Sequence, residues 1–135
     1  MQNCRYALVD SAWLVVQSLA VTPETASAKY TETLEAMAAL GEGTPESAKW
    51  NRLVRANHDA YAVLRESESG RRVIESQMGH ESATVRAWAA AHALLWNEPA
   101  ARPVLVALAE SGGLLSVSAE YTLREFDRGQ LSHDW

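Results

Sequence analysis

Cysteine is almost absent from this chain. Cys4 is the single one in 135 residues, so no internal disulfide can form and no cysteine-based zinc site can be assembled. A basic surplus is also missing: 12 Lys and Arg stand against 17 Asp and Glu, a formal charge of −5. Proteins that bind phosphate draw affinity from a basic face, and this balance argues against that class. An acidic chain suits plain solubility or a basic protein partner. No apolar run approaches the length needed to span a bilayer. Leu8 to Leu19 is apolar and Ser18-Leu19-Ala20 resembles a weak cleavage site, but Asp10 interrupts the run and only Arg5 precedes it. These residues serve better as a buried amphipathic helix, and a reducing, cytoplasmic setting is expected.

The motifs of common enzyme classes are missing as well. Gly41-Glu42-Gly43 begins a G-x-G-x-x-G, but Glu46 occupies the third glycine position and no strand precedes it. Glu110-Ser111-Gly112-Gly113 reads as a helix end, not a nucleophile elbow. His58, His80, His92 and His133 show no metal-ligand spacing. His58 and Asp59 are adjacent, which on a helix separates their side chains by about 100° and prevents an acid–base pair. No catalytic residue, cofactor or metal is expected.

What is present is helical. Apolar residues make up 47% of the chain, with five tryptophans, enough to build one core for one domain. Thr22-Pro23-Glu24 and Thr44-Pro45-Glu46 each place a capping hydroxyl before a proline and an acid. Neither predicts a full capping box, because Thr25 and Ser47 stand where Glu or Gln is usual. Apolar spacing predicts helices over about 4–20, 23–40, 45–67, 70–79, 82–97, 99–111 and 115–127, with Gly41, Gly43, Gly70 and Gly112-Gly113 closing segments. In the third, Trp50, Val54, Asn57, Tyr61 and Leu64 form one stripe in steps of four and three. Nothing alternates as a strand does. The fold class is all-α.

The second half repeats itself. A short helix with Arg72-Val73-Ile74 is followed by a longer one with Ala90 four before Leu94. About 30 residues on, Arg102-Pro103-Val104-Leu105 is followed by Ala119 and Leu123. The longer helix of the first copy reads TVRAWAAAHALLW from Thr84 to Trp96. Alanine on every side allows close approach by neighbours and favours a helix at the centre of the molecule. His92 falls among tryptophans and aliphatics and is expected to be buried, with Arg86 more exposed.

Val85-Arg86, followed by Ala89-Ala90-Ala91 and Leu94, resembles the second helix of a HEAT repeat. Further features extend the resemblance to a bacterial family with a HEAT-like fold, the domain of unknown function numbered two thousand and nineteen. They are Ala48, Asn51-Arg52-Leu53, the run from Gly79 to Arg86, Pro99 to Leu108, and Ser118 to Gly129. The family usually has proline or aspartate after its histidine, where this chain has Glu81. The resemblance covers about 45–131 and implies two degenerate repeats there, with residues 1–44 as an N-terminal helical cap in a single domain of about seven helices. It brings no catalytic residues, and it implies a role as an immunity protein beside a secreted bacterial toxin.

The expected function is therefore a non-enzymatic module that binds a protein partner, a basic toxin domain in the case the resemblance implies. Acids at helix junctions and on the last helix can occupy a basic groove by standing in for phosphate charge: Glu42, Glu46, Glu66, Glu68, Glu120 and Asp127. Arg86 and Arg124, on the longer helices of the two copies, and Trp135, as a candidate protein contact, complete the set. Two alternatives stand beside it. One is a HEAT-like nucleic-acid enzyme of the DNA-glycosylase type, for which two arginines are few. The other is a general scaffold or assembly subunit. Neither a nucleic acid nor a membrane is an expected partner.

Overall fold

The structure is a computed structural model that describes residues 22–41 and 47–135. The expected helix over 4–20, the Thr44-Pro45-Glu46 cap and the candidate residues Glu42 and Glu46 lie outside the described residues. Among the described residues six α-helices follow one another: α1 (Pro23–Leu40), α2 (Ser47–Leu64), α3 (Glu68–Ser76), α4 (Ala83–Ala93), α5 (Glu98–Ala109) and α6 (Leu114–Asp127). A 3₁₀ turn, Gln77–Gly79, joins α3 to the loop before α4. Among the described residues there is no strand, and no helix is long and apolar enough to cross a membrane. The chain is all-α.

Helix α1 lies along α2 and also packs on α4, and α4 in turn meets α3, α5 and α6. The core follows from those contacts. Tyr30, Leu34 and Met37 of α1 meet Ala60, Tyr61 and Leu64 of α2, and Ile74, Leu105 and Ala119 close it from α3, α5 and α6. Val85, Ala89, Ala90 and Ala93 of α4 are all fully buried. Alanine is what permits this, since a helix with small residues on several faces can be approached from several directions at once. Burial on Ala90 and Ala93 extends the inward surface of α4 beyond its tryptophan face.

The chain's local chemistry sets the helix ends, sometimes otherwise than the sequence pattern predicts. Thr22 and Thr25 form a reciprocal capping box: the Thr22 hydroxyl accepts from the Thr25 amide at 3.2 Å, and the Thr25 hydroxyl accepts from the Thr22 amide at 3.1 Å. Threonine thus closes the box in the place of Glu, contrary to expectation. Gly70 does not close a helix. It sits inside the first turn of α3, capped by Ser67, and a Cβ at this position would collide with the Leu64 carbonyl. Glycine is needed there so that α3 can start against the end of α2. Because Ser67 accepts from the Gly70 amide at 3.0 Å, the long helix expected to reach 67 is broken after Leu64. Helix α4 also stops early, at Ala93; Leu94 to Trp96 continue as turns whose amides bond back to Ala90, His92 and Ala93. Pro99, in the first turn of α5, opens the next helix.

Candidate functional site

The stretch from Gly79 to Arg86 is a self-contained joint. His80 accepts from the Ser82 amide through Nδ1 at 2.9 Å, so its Nε2–H is free to donate to Glu35 of α1 at 2.8 Å. Ser82 caps α4, and one turn on Arg86 donates to the carbonyls of His80 and Glu81, each at 2.9 Å. The residues that carry the family resemblance here have a structural occupation: they fix the entry of α4.

Behind that joint the long-range packing gathers three histidines that are far apart in sequence. His92 is 4% exposed, and its Nδ1 lies 2.7 Å from the hydroxyl of Tyr30. Tyr61 stacks on the imidazole at 4.0 Å between ring centres, and His133 meets it edge-on at 5.0 Å. Burial, then the neighbouring His133, His58 and Arg65, hold His92 well below its ordinary value of 6.5. Burial also pushes the Tyr30 hydroxyl far up, so it keeps its proton. That proton has only His92 to go to among the described residues, because a buried O–H without an acceptor is costly. Tyr30 therefore donates to Nδ1, and the hydrogen of the neutral ring sits on Nε2.

The C-terminal segment after α6 completes this arrangement. Gly129, at a φ of 73°, turns the chain out of the helix. His133 Nε2 then donates to the Ala91 carbonyl at 3.0 Å, Asp134 pairs with Arg65 of α2 at 2.6 Å, and Trp135 stacks on His58 at 3.9 Å. Burial lowers His133 against the opposing pull of that carbonyl. Under this strap lies a cavity of about 260 Å³ between α2, α4, α5 and α6. Its apolar wall is Ala87, Trp88, Ala91, Leu105, Leu115 and Ala119; its polar wall is Asn57, the three histidines, and Ser118 and Thr122 at the α6 side. No Asp, Glu, Lys or Arg side chain lines it. Among the described residues no three His, Cys, Asp or Glu side chains are grouped to hold a metal ion.

Asn57 is the unusual member. It is completely buried, and its amide nitrogen donates to the Tyr30 carbonyl at 3.1 Å and the Thr33 hydroxyl at 3.0 Å. Its Oδ1, equally buried, has no partner. The sequence signal was present: Asn57 is the one polar residue in the Trp50-to-Leu64 stripe, and a polar group at a core position must be satisfied by something. The histidine cluster had no local signal, since Tyr30 lies 62 positions from His92 and His133 reaches the Ala91 carbonyl from 42 positions away.

The expected contact residues are scattered. Glu66 faces Arg65 at 3.6 Å, Glu68 pairs with Arg72 at 2.7 Å, and Asp127 pairs with Arg102 at 2.6 Å, with the Asp127 carboxyl held below its usual range by that hydrogen bond. Arg86 is half-buried and engaged in the joint. Trp135 stacks on His58 and is largely exposed. Glu120 and Arg124 are exposed on α6, and they flank a feature that periodicity alone did not single out. Leu114, Val117 and Tyr121 stand on one face of α6, exposed by 61%, 64% and 58%. Nothing among the described residues covers them. Comparison of the chain with family models, with curated proteins and with solved structures found no match.

Proposed function

We propose that this chain is a non-enzymatic protein-binding module on a HEAT-like stack, and that it binds its partner through the outer face of α6. The observation that carries the reading is the stripe of Leu114, Val117 and Tyr121, spaced i, i+3 and i+7 and open to solvent. Contiguous exposed apolar side chains rimmed by charge are typical of interaction surfaces, and tyrosine and arginine are enriched in them. Glu120 and Arg124 supply the rim. The HEAT-like character is supported by Ala90 with Leu94 and Ala119 with Leu123, which turn inward at matching places, and by α4 packing on both α5 and α6.

Support for a binding role over catalysis comes from the cavity, where the histidines meet a tyrosine, a carbonyl and aromatic rings instead of a carboxylate. The nucleic-acid alternative draws on Arg86 and Arg124, and Arg86 is already engaged. An immunity role against a basic toxin domain rests on the family resemblance and the charge of −5. Glu66, Glu68 and Asp127 are tied to arginines of this chain, so such a partner would meet Glu120 and the apolar stripe first. Affinity capture of the tagged chain from its native cells tests the reading. A stoichiometric protein partner should be recovered, and Val117→Asp with Tyr121→Glu should abolish its recovery while leaving the helical melting curve unchanged. Recovery undiminished by these changes, or no stoichiometric partner at all, contradicts it.

A further inference from the structure

The cavity under the C-terminal strap lies on the inner side of α6, away from the Leu114–Tyr121 stripe, and its contents are independent of the partner proposed above. Its polar groups are specific in kind. Asn57 offers a buried acceptor that the protein leaves unused. His92 offers a donor: with Nδ1 occupied by Tyr30, the Nε2–H has no partner among the described residues. Both residues line the cavity, and so do Trp88 and Trp135. A space of about 260 Å³ holds a molecule of one or two rings. With no Asp, Glu, Lys or Arg side chain in the lining, an ion entering this space would lose its hydration without gaining a side-chain counter-charge.

We propose that this cavity binds a small uncharged planar heterocycle of the lactam type, in which a ring N–H adjoins a carbonyl. The N–H donates to Asn57 Oδ1, the carbonyl accepts from His92 Nε2–H, and the ring lies against the tryptophans. Such a ligand satisfies both open groups at once and leaves neither of its own polar atoms unpaired. A purely apolar ring would leave both unsatisfied. A lone water on Asn57 would satisfy the acceptor but leave the apolar wall uncovered.

The test uses the full chain, with 2-pyridone and its two-ring analogue 2-quinolone as probes, and toluene and benzoate as controls. Side-chain ¹H–¹⁵N spectra report on His92 directly. Saturable shifts at His92 Nε2 are expected with both lactams at millimolar concentration, and none with benzoate. Asn57→Leu should weaken lactam binding by about tenfold, the cost expected for one lost buried hydrogen bond. Because Asn57 also holds Tyr30 and Thr33, a second variant is needed: Ser118→Trp, at the exposed α6 edge of the cavity, should block the probes in a chain that melts normally. Overturning results are equally plain. They are lactams leaving His92 unshifted, toluene binding as tightly as 2-pyridone, or lactam binding undiminished by Ser118→Trp.

Discussion

Helices α4 and α6 occupy matching places in the repeated pattern, one with Ala90 and Leu94, the other with Ala119 and Leu123, yet they live in different surroundings. Helix α4 has neighbours on nearly every side: α1, α3, α5 and α6 all reach it. Helix α6 has α5 and α4 on its inner side, and its outer side presents Leu114, Val117 and Tyr121 to solvent. The difference lies in the neighbours: α4 is covered from several directions, whereas nothing among the described residues covers the outer side of α6. The same kind of sequence is therefore core in one place and solvent-exposed in the other. The neighbours decide which.

Substitutions should separate the buried helix from the exposed one. Leu94→Ala, next to the buried end of α4, should cost ~2–5 kcal/mol of folding stability by deleting packed methyl groups, and denaturant unfolding measures it. Tyr30→Phe should cost about 1–3 kcal/mol, because His92 Nδ1 is left buried without its donor; a loss below a few tenths in the same assay would remove that hydrogen bond from the account. Acid should weaken the centre next. His92 and His133 have folded-state values below 6.5, so the unfolded chain binds more protons as pH falls through that value. Stability should be flat above about 7, and should fall as pH drops from 6.5 towards the folded-state values. Thermal melts across that range check the slope, and His92→Gln should flatten part of it. Smallest of all, Val117→Ala on α6 should shift stability by no more than about 0.5 kcal/mol. A large loss there would mean that the face is covered in the free protein.

Much of the architecture was legible in the residues. Thr22-Pro23 starts α1 where the capping pattern puts it, the stripe of α2 points inward, and His92 is buried as the spacing around Trp88 and Trp96 requires. Helix ends were less legible, because they depend on neighbours. Gly70 looks like a stop from its sequence and is instead a place where Leu64 needs room. Thr25 closes a box that the usual Glu rule does not foresee, since a short hydroxyl reaches the same amide. The cavity was least legible. His58, His92 and His133 carry no shared spacing, and only folding the C-terminal strap over α2 and α4 brings them together. Of the expected contact residues, Glu120 and Arg124 fall beside the open stripe, whereas charge alone could not tell Glu68 or Asp127 from residues paired within the chain.

The outer face of α6 is the surface we propose meets a partner. A photo-crosslinking side chain placed at Val117, and in separate chains at Glu68 and Arg72 on α3, tests it directly in the native cells. Adducts with one defined protein from Val117, and none from the α3 positions, are the result the account predicts. Adducts from α3 with Val117 silent would contradict it.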